Sequence, residues 1–151
     1  MPLKSISKTF YFSKENLINL VLDINEYKKF LPWCVDSKIL ASEDKNNEKI
    51  INADLTIGYK RFIDTYTSKV IYNKKNHEID VSCIKGNLKK LVNIWRFKEV
   101  NSKECVIDFL IEIELEGILK NFLLNKFFDY GFEKILKSFE EQAYKTIKPK
   151  V

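Results

Sequence analysis

The chain has 151 residues, 45% of them hydrophobic and 31% charged, with a formal net charge of +5. This is enough sequence for one folded domain with a buried core, in an ordinary globular composition that excludes a disordered or collagen-like chain. Its lysines occur singly or in pairs (Lys28-Lys29, Lys74-Lys75, Lys89-Lys90), a mildly basic surface compatible with anionic lipid or ribosomal RNA and diagnostic of neither.

In chain order, Ile6, Lys8, Phe10 and Phe12 alternate with Ser7, Thr9 and Tyr11, which predicts a strand. Ser13 is placed to cap a helix carrying Leu17, Leu20, Val21 and Ile24 at helical spacing. Asn25 is read as opening a second short helix, limited by Pro32 because proline disfavours helix in the residue before it. Strands are expected over Val35 to Ala41, Ile51 to Tyr59, Phe62 to Tyr72, Ile79 to Ile84, Leu88 to Val100 and Ile107 to Leu115. The polar stretch Glu43 to Glu48, Asn73 to Asn76, Gly86-Asn87 and Lys103-Glu104 read as the turns between them. From Leu119 to Ile147 one long helix is expected, with Leu124, Phe128, Phe132, Ile135, Phe139 and Ala143 on one face and Lys126, Glu133, Lys137 and Glu140 opposite. Strand, two helices, six strands and a long helix make an α+β chain, read as a single domain over residues 1–151.

Cys34, Cys83 and Cys105 are far apart and form no CxxC spacing, so neither a disulfide framework nor a metal site is expected, and a reducing compartment is. No stretch approaches the ~20 apolar residues of a membrane span. The first strand pattern begins almost at once, so no signal segment is expected, and the protein is read as cytoplasmic, touching a membrane at most peripherally.

The functional candidates are apolar. Leu31-Pro32-Trp33-Cys34 places bulky residues where a connection is normally small and polar, suggesting a wall or lid over an apolar space. Tyr59, Phe62, Tyr66, Trp95, Phe97 and Phe109 supply more aromatic bulk than a tightly packed small sheet needs, which fits either a core or a ligand space of ~300–1,000 Å³. Phe122, Leu123 and Phe127 lie off the main stripe of the long helix and with Ile118 and Leu119 would form an apolar patch or a cavity mouth. Gly131, near that stripe, signals either close approach or room for a ligand. Asp64 shares a strand face with Phe62, Tyr66 and Val70: facing inward it would hold a polar head group, facing outward it is a solvated acid. His77, the lone histidine, falls in a polar turn and is read as exposed, so no nucleophile and base pair can be assembled and no catalytic residue is assigned.

Four stretches together resemble the coenzyme Q-binding protein family, a branch of the START/polyketide cyclase-like superfamily. They are Asp23 to Cys34, Gly58-Tyr59 through Tyr66-Thr67-Ser68-Lys69-Val70, Gly86 through Trp95-Arg96-Phe97, and Cys105 to Phe109. The departures are Asn87-Leu88, where Pro-Phe is usual, and Tyr59, where Phe is common. The resemblance implies a helix-grip fold, a curved antiparallel sheet wrapped around the C-terminal helix. It also implies non-catalytic binding of ubiquinone or a related polyprenyl lipid in support of respiration, with no metal. The ligand-binding residues expected on that reading are Leu31, Pro32, Trp33, Tyr59, Phe62, Tyr66, Leu88, Trp95, Phe109, Phe127, Phe128 and Phe132. The partners expected are the lipid, an anionic membrane surface and a weak homo-oligomer. Relatives of the ribosome-association toxin type imply an alternative, binding to the large ribosomal subunit. A polyketide cyclase activity would need polar groups converging in the pocket, and the sequence offers few.

Overall fold

The computed structural model describes residues 3–59, 62–86, 88–115 and 128–147, with the backbone alone described at Leu3, Tyr59, Phe62, Leu115, Phe128, Asp129 and Tyr130. The expectations placed on Asn87, Ile118, Leu119, Phe122, Leu123, Leu124, Lys126 and Phe127 lie outside the described residues.

Strand β1 (Leu3–Phe10) leads into helix α1 (Lys14–Leu22), a 3-10 turn (Ile24–Glu26) and helix α2 (Tyr27–Phe30). Six further strands follow: β2 (Cys34–Lys45), β3 (Glu48–Tyr59), β4 (Phe62–Asn73), β5 (Glu78–Lys85), β6 (Leu88–Asn101) and β7 (Glu104–Leu115). They form one antiparallel sheet in the order β1-β7-β6-β5-β4-β3-β2. The last described element is helix α3 (Phe128–Thr146). This is the α+β helix-grip arrangement expected from the sequence.

Local chemistry fixes the element ends. Ser13 is extended, and its Oγ accepts the Asn16 N–H at 3.2 Å, the N-cap bond that opens α1. The first strand stops at Phe10, short of Phe12, whose ring instead meets Tyr144 of α3 edge-on at 4.9 Å. Leu31 takes ψ 133, the extended conformation forced on a residue before proline, and this ends α2. Asn25 does not open a helix; its Oδ1 accepts the Ile39 N–H at 2.7 Å and ties the turn to β2. The stretch from Glu43 to Lys45, expected to be turn, continues β2 in register with β3. It is solvated on both faces, so its polar composition hid the ladder.

Phe132, Leu136, Phe139 and Ala143 of α3 are buried against the sheet. Leu136 holds the position expected of Ile135, which is half-buried at the border of the stripe. Phe139 is the hub: its ring lies 5.4 Å from Tyr27, 5.2 Å from Phe30 and 5.0 Å from Trp95, each edge-on. It therefore couples α2, α3 and the sheet in one aromatic cluster. Phe139→Ala is expected to cost about 3–5 kcal/mol of folding stability, against less than ~0.5 kcal/mol for the exposed Leu40→Ala. Urea unfolding followed by tryptophan emission checks both.

Candidate functional site: an apolar cavity between sheet and helix

The sheet curves around α3 without filling the space beneath it, leaving a cavity of about 310 Å³. Of the residues expected to bind a ligand, Leu31, Pro32, Trp33, Tyr66, Leu88, Trp95, Phe109 and Phe132 line it. Tyr59, Phe62 and Phe128 stand on β3, β4 and α3 with only their backbone described, and Phe127 lies outside the described residues. The sequence reading missed the aliphatic lining: Leu55 and Ile57 on β3, Val81 on β5, Leu91 on β6, Ile111 and Ile113 on β7. Strand alternation places these side chains inward, but periodicity cannot tell a cavity wall from a packed core.

The Leu-Pro-Trp shoulder is fastened as a wall. Trp33 adopts φ 63, a left-handed conformation rare for a bulky residue and often held at functional sites. Its carbonyl accepts the Gly58 N–H at 2.9 Å. Its ring closely approaches α3 at Gly131, where an added Cβ would stand 2.8 Å from Cζ3 and 3.0 Å from Cη2. The Lys134 Nζ sits 5.7 Å from the ring centroid, within cation–π range. Gly131 thus provides close approach for a tryptophan. Gly131→Ala should gain ~1 kcal/mol of helix propensity yet lose more by overpacking, about 1–3 kcal/mol, as Trp33 is driven off. Denaturant unfolding with a shifted tryptophan emission maximum is the expected result.

Most polar groups in the wall are already engaged. The Asn93 Nδ2 donates to the Leu110 carbonyl at 2.9 Å while its Oδ1 accepts from the Trp95 Nε1 at 2.9 Å. The Ser68 Oγ donates to the Ala53 carbonyl at 3.4 Å, and the Tyr27 hydroxyl donates to the Val21 carbonyl. Asp64 is half-buried and lines the cavity, the inward of its two predicted orientations, with Oδ1 accepting the Thr65 N–H at 2.9 Å. His77, expected to be exposed, is half-buried at φ 55; its turn is tied by bonds from the Lys75 and Asn76 N–H groups to the Asn73 Oδ1, both 3.0 Å.

Burial pushes the thiols of Cys34 and Cys105 up to about 11, so both stay protonated at neutral pH. Because the folded values lie above the unfolded value of 9.0, the burial of these thiols favours folding fully below pH ~9 and loses that contribution as pH rises through about 11. In native protein at pH 8, iodoacetamide should modify the half-buried Cys83 first and reach Cys34 and Cys105 only on unfolding, as read by peptide mass mapping.

With this geometry in view, the similarities to known proteins are specific. Residues 13–140 match the family described as polyketide cyclase / dehydrase and lipid transport. Coenzyme Q-binding protein COQ10 homolog B, mitochondrial, of Xenopus laevis is 31% identical over 143 residues, which cover 92% of this chain and 57% of that protein. Ribosome association toxin RatA of Rickettsia prowazekii is 29% identical over 145 residues, 94% of this chain and 96% of the toxin. Among solved structures, a START superfamily protein from Mycobacterium smegmatis superposes with a TM-score of 0.77 at 14% identity, covering 95% of this chain and 97% of its own. The Zhui aromatase/cyclase from Streptomyces reaches 0.78 at 11% identity over 97% and 96% of the two chains. These two establish a shared fold. Among the described residues no helix is long and apolar enough to cross a membrane.

Proposed function

We propose, from the premise that the chain belongs to the polyketide cyclase/dehydrase and lipid transport family, that it is a non-catalytic binder of ubiquinone or a related polyprenyl lipid, acting as a quinone carrier in respiration. The observation that carries this reading is the apolar cavity of about 310 Å³ walled by the Leu31-Pro32-Trp33 shoulder, the sheet and α3. Its volume stands at the lower end of small-molecule sites, ~300–1,000 Å³. It therefore suits a ring and the first part of a tail rather than a whole polyprenyl chain. Apolar burial supplies the affinity, at ~25 cal/mol per Å². The engagement of Asn93, Ser68 and Tyr27 in bonds within the protein favours holding a ligand over transforming it. The name of the Xenopus relative supports a quinone as the ligand.

Peripheral membrane contact fits the same end of the molecule. Val35 and Ile63, 57% and 68% exposed, flank Gly58, whose N–H holds the Trp33 carbonyl. An anionic surface would add roughly 1 kcal/mol for each lysine brought near it.

Protein purified from its host is expected to release a stoichiometric polyprenyl quinone on organic extraction, seen as a bound mass by native mass spectrometry. Val81→Phe, which fills the cavity from β5, should lower the occupancy severalfold while the fold persists. An empty wild-type protein that also ignores added quinone would sink the reading. A second reading, ribosome association, rests on the match to nearly the full length of RatA. Co-sedimentation with ribosomal subunits that collapses between ~50 and ~200 mM salt would favour it, since phosphate contacts release counterions.

A further inference from the structure

We propose that the cavity is built for a ligand with a neutral, hydrogen-bond-accepting head, and that the Tyr66 hydroxyl is the group that donates to it; this rests on the lipid-binding reading above.

The inner face of β4 runs Asp64, Tyr66, Ser68, Val70, all four in the cavity wall, grading from polar to apolar along one strand. Tyr66 is half-buried and lines the cavity. Gly86, at φ 131, clears the ground beside it: a Cβ there would stand 2.7 Å from the Tyr66 Cβ and 3.0 Å from its Cα. A side chain at 86 would displace the tyrosine, so this glycine helps to fix where the ring points.

The wall's other uncharged polar side chains are engaged. Tyr27 donates to Val21, Ser68 to Ala53 and the Cys34 Sγ to the Asp36 carbonyl at 3.3 Å, while Asn93 spends its amide on Leu110 and Trp95. The Tyr66 hydroxyl makes no hydrogen bond within the described residues. Buried polar groups are satisfied in the great majority of folded proteins, so an unspent hydroxyl on a residue that lines an apolar cavity points to a partner that arrives with the ligand. Burial raises its pKa far above that of an ordinary tyrosine, so the proton stays in place and the group is a donor.

Charge narrows the head further. No lysine, arginine or histidine stands among the described residues of the wall, and its one formally charged side chain is an acid, Asp64. A carboxylate or phosphate head carried into this space would be desolvated with no cation among the described residues of the wall to receive it. A carbonyl needs a single donor, and Tyr66 supplies one. The site thus discriminates against fatty-acid anions and phospholipid heads and accepts neutral carbonyl heads, quinones among them.

Isothermal titration with three soluble probes tests this: decylubiquinone with a neutral acceptor head, dodecanoate at pH 8 with an anionic one, and hexylbenzene with neither. Wild-type protein should bind decylubiquinone about tenfold or more tighter than dodecanoate. Tyr66→Phe should weaken decylubiquinone by roughly 5–10-fold and leave hexylbenzene unchanged, the latter showing that the cavity is intact. Equal binding of the quinone by wild type and Tyr66→Phe, or dodecanoate binding as tightly as the quinone, would overturn the assignment while leaving a lipid site. Failure of wild-type protein to bind any of the three would overturn the lipid-binding reading together with it.

Discussion

The contact on which the cavity wall depends is the seating of the Trp33 indole on the bare backbone of Gly131. It joins the connection between α2 and β2 to the helix that the sheet wraps, while the bond from Gly58 of β3 ties the same turn to the sheet, so this wall bridges the two layers at one side of the cavity. The tryptophan reaches its seat only with a left-handed backbone, at a strain cost of order 1–3 kcal/mol. The bond from Gly58, the close contact with the helix at Gly131 and the Lys134 ammonium over the ring offset that cost. Each glycine of the pair is required by a close approach: at Gly58 a Cβ would stand 2.5 Å from the Val35 Cγ2. A bulky residue in a strained turn, held from both sides by residues without side chains, is a wall set by geometry rather than by its own hydrophobicity.

The rest of the site follows from how the sheet bends. Register shifts occur in β2 at Cys34/Asp36 and Ile39/Ala41, in β5 between Cys83 and Lys85 opposite Thr67/Ser68, and in β6 at Leu88/Lys90. Bulges of this kind bend and twist a strand, and here they curl the sheet around α3. Trp95, Phe97, Phe109, Phe132 and Phe139 pack together and close one side of the cavity, with Trp95 and Phe109 4.6 Å apart and Phe109 and Phe132 5.3 Å apart. Beyond that cluster the inward residues are shorter, such as Leu55, Ile57, Val81 and Ile113, and they do not span the gap to the helix. The cavity is the place where aromatic bulk gives way to aliphatic bulk on the same curved surface.

Much of this was legible in the residues. Alternation along Ile51 to Ile57 and Ile107 to Ile113 gave strands in the right places, and the spacing of Phe132, Phe139 and Ala143 gave the helix face, because burial on one side is what those periods encode. The unusual bulk of Leu31-Pro32-Trp33 marked the wall. What escaped reading depended on contacts between distant residues. The Asn25 side chain caps no helix because the Ile39 N–H, 14 residues on, takes its oxygen. Asp64 lies in the cavity wall with Tyr66 and Val70, the face alternation gave it, but alternation alone does not say which face of a strand is inward. Gly131 read equally as room or as contact until the indole of Trp33 was placed against it.

An apolar cavity is a standing expense in stability, and its size bears on why the fold keeps it. At ~24 cal/mol per Å³, the coefficient for voids left by core truncation, a dry space of about 310 Å³ would cost up to about 7 kcal/mol. That ceiling is comparable to the whole stability of a small domain, ~5–15 kcal/mol. Leu or Phe in place of Val81 or Ile113 would reduce it, and such cavity-filling changes are among the easiest stabilising substitutions to find. A volume kept open against that gradient behaves as a ligand site does: occupancy restores the lost contacts, and a ligand at a hundred times its Kd returns about 2.7 kcal/mol. The Tyr66 hydroxyl, which makes no hydrogen bond within the described residues, follows the same logic on the proposed reading: a ligand head would supply its partner.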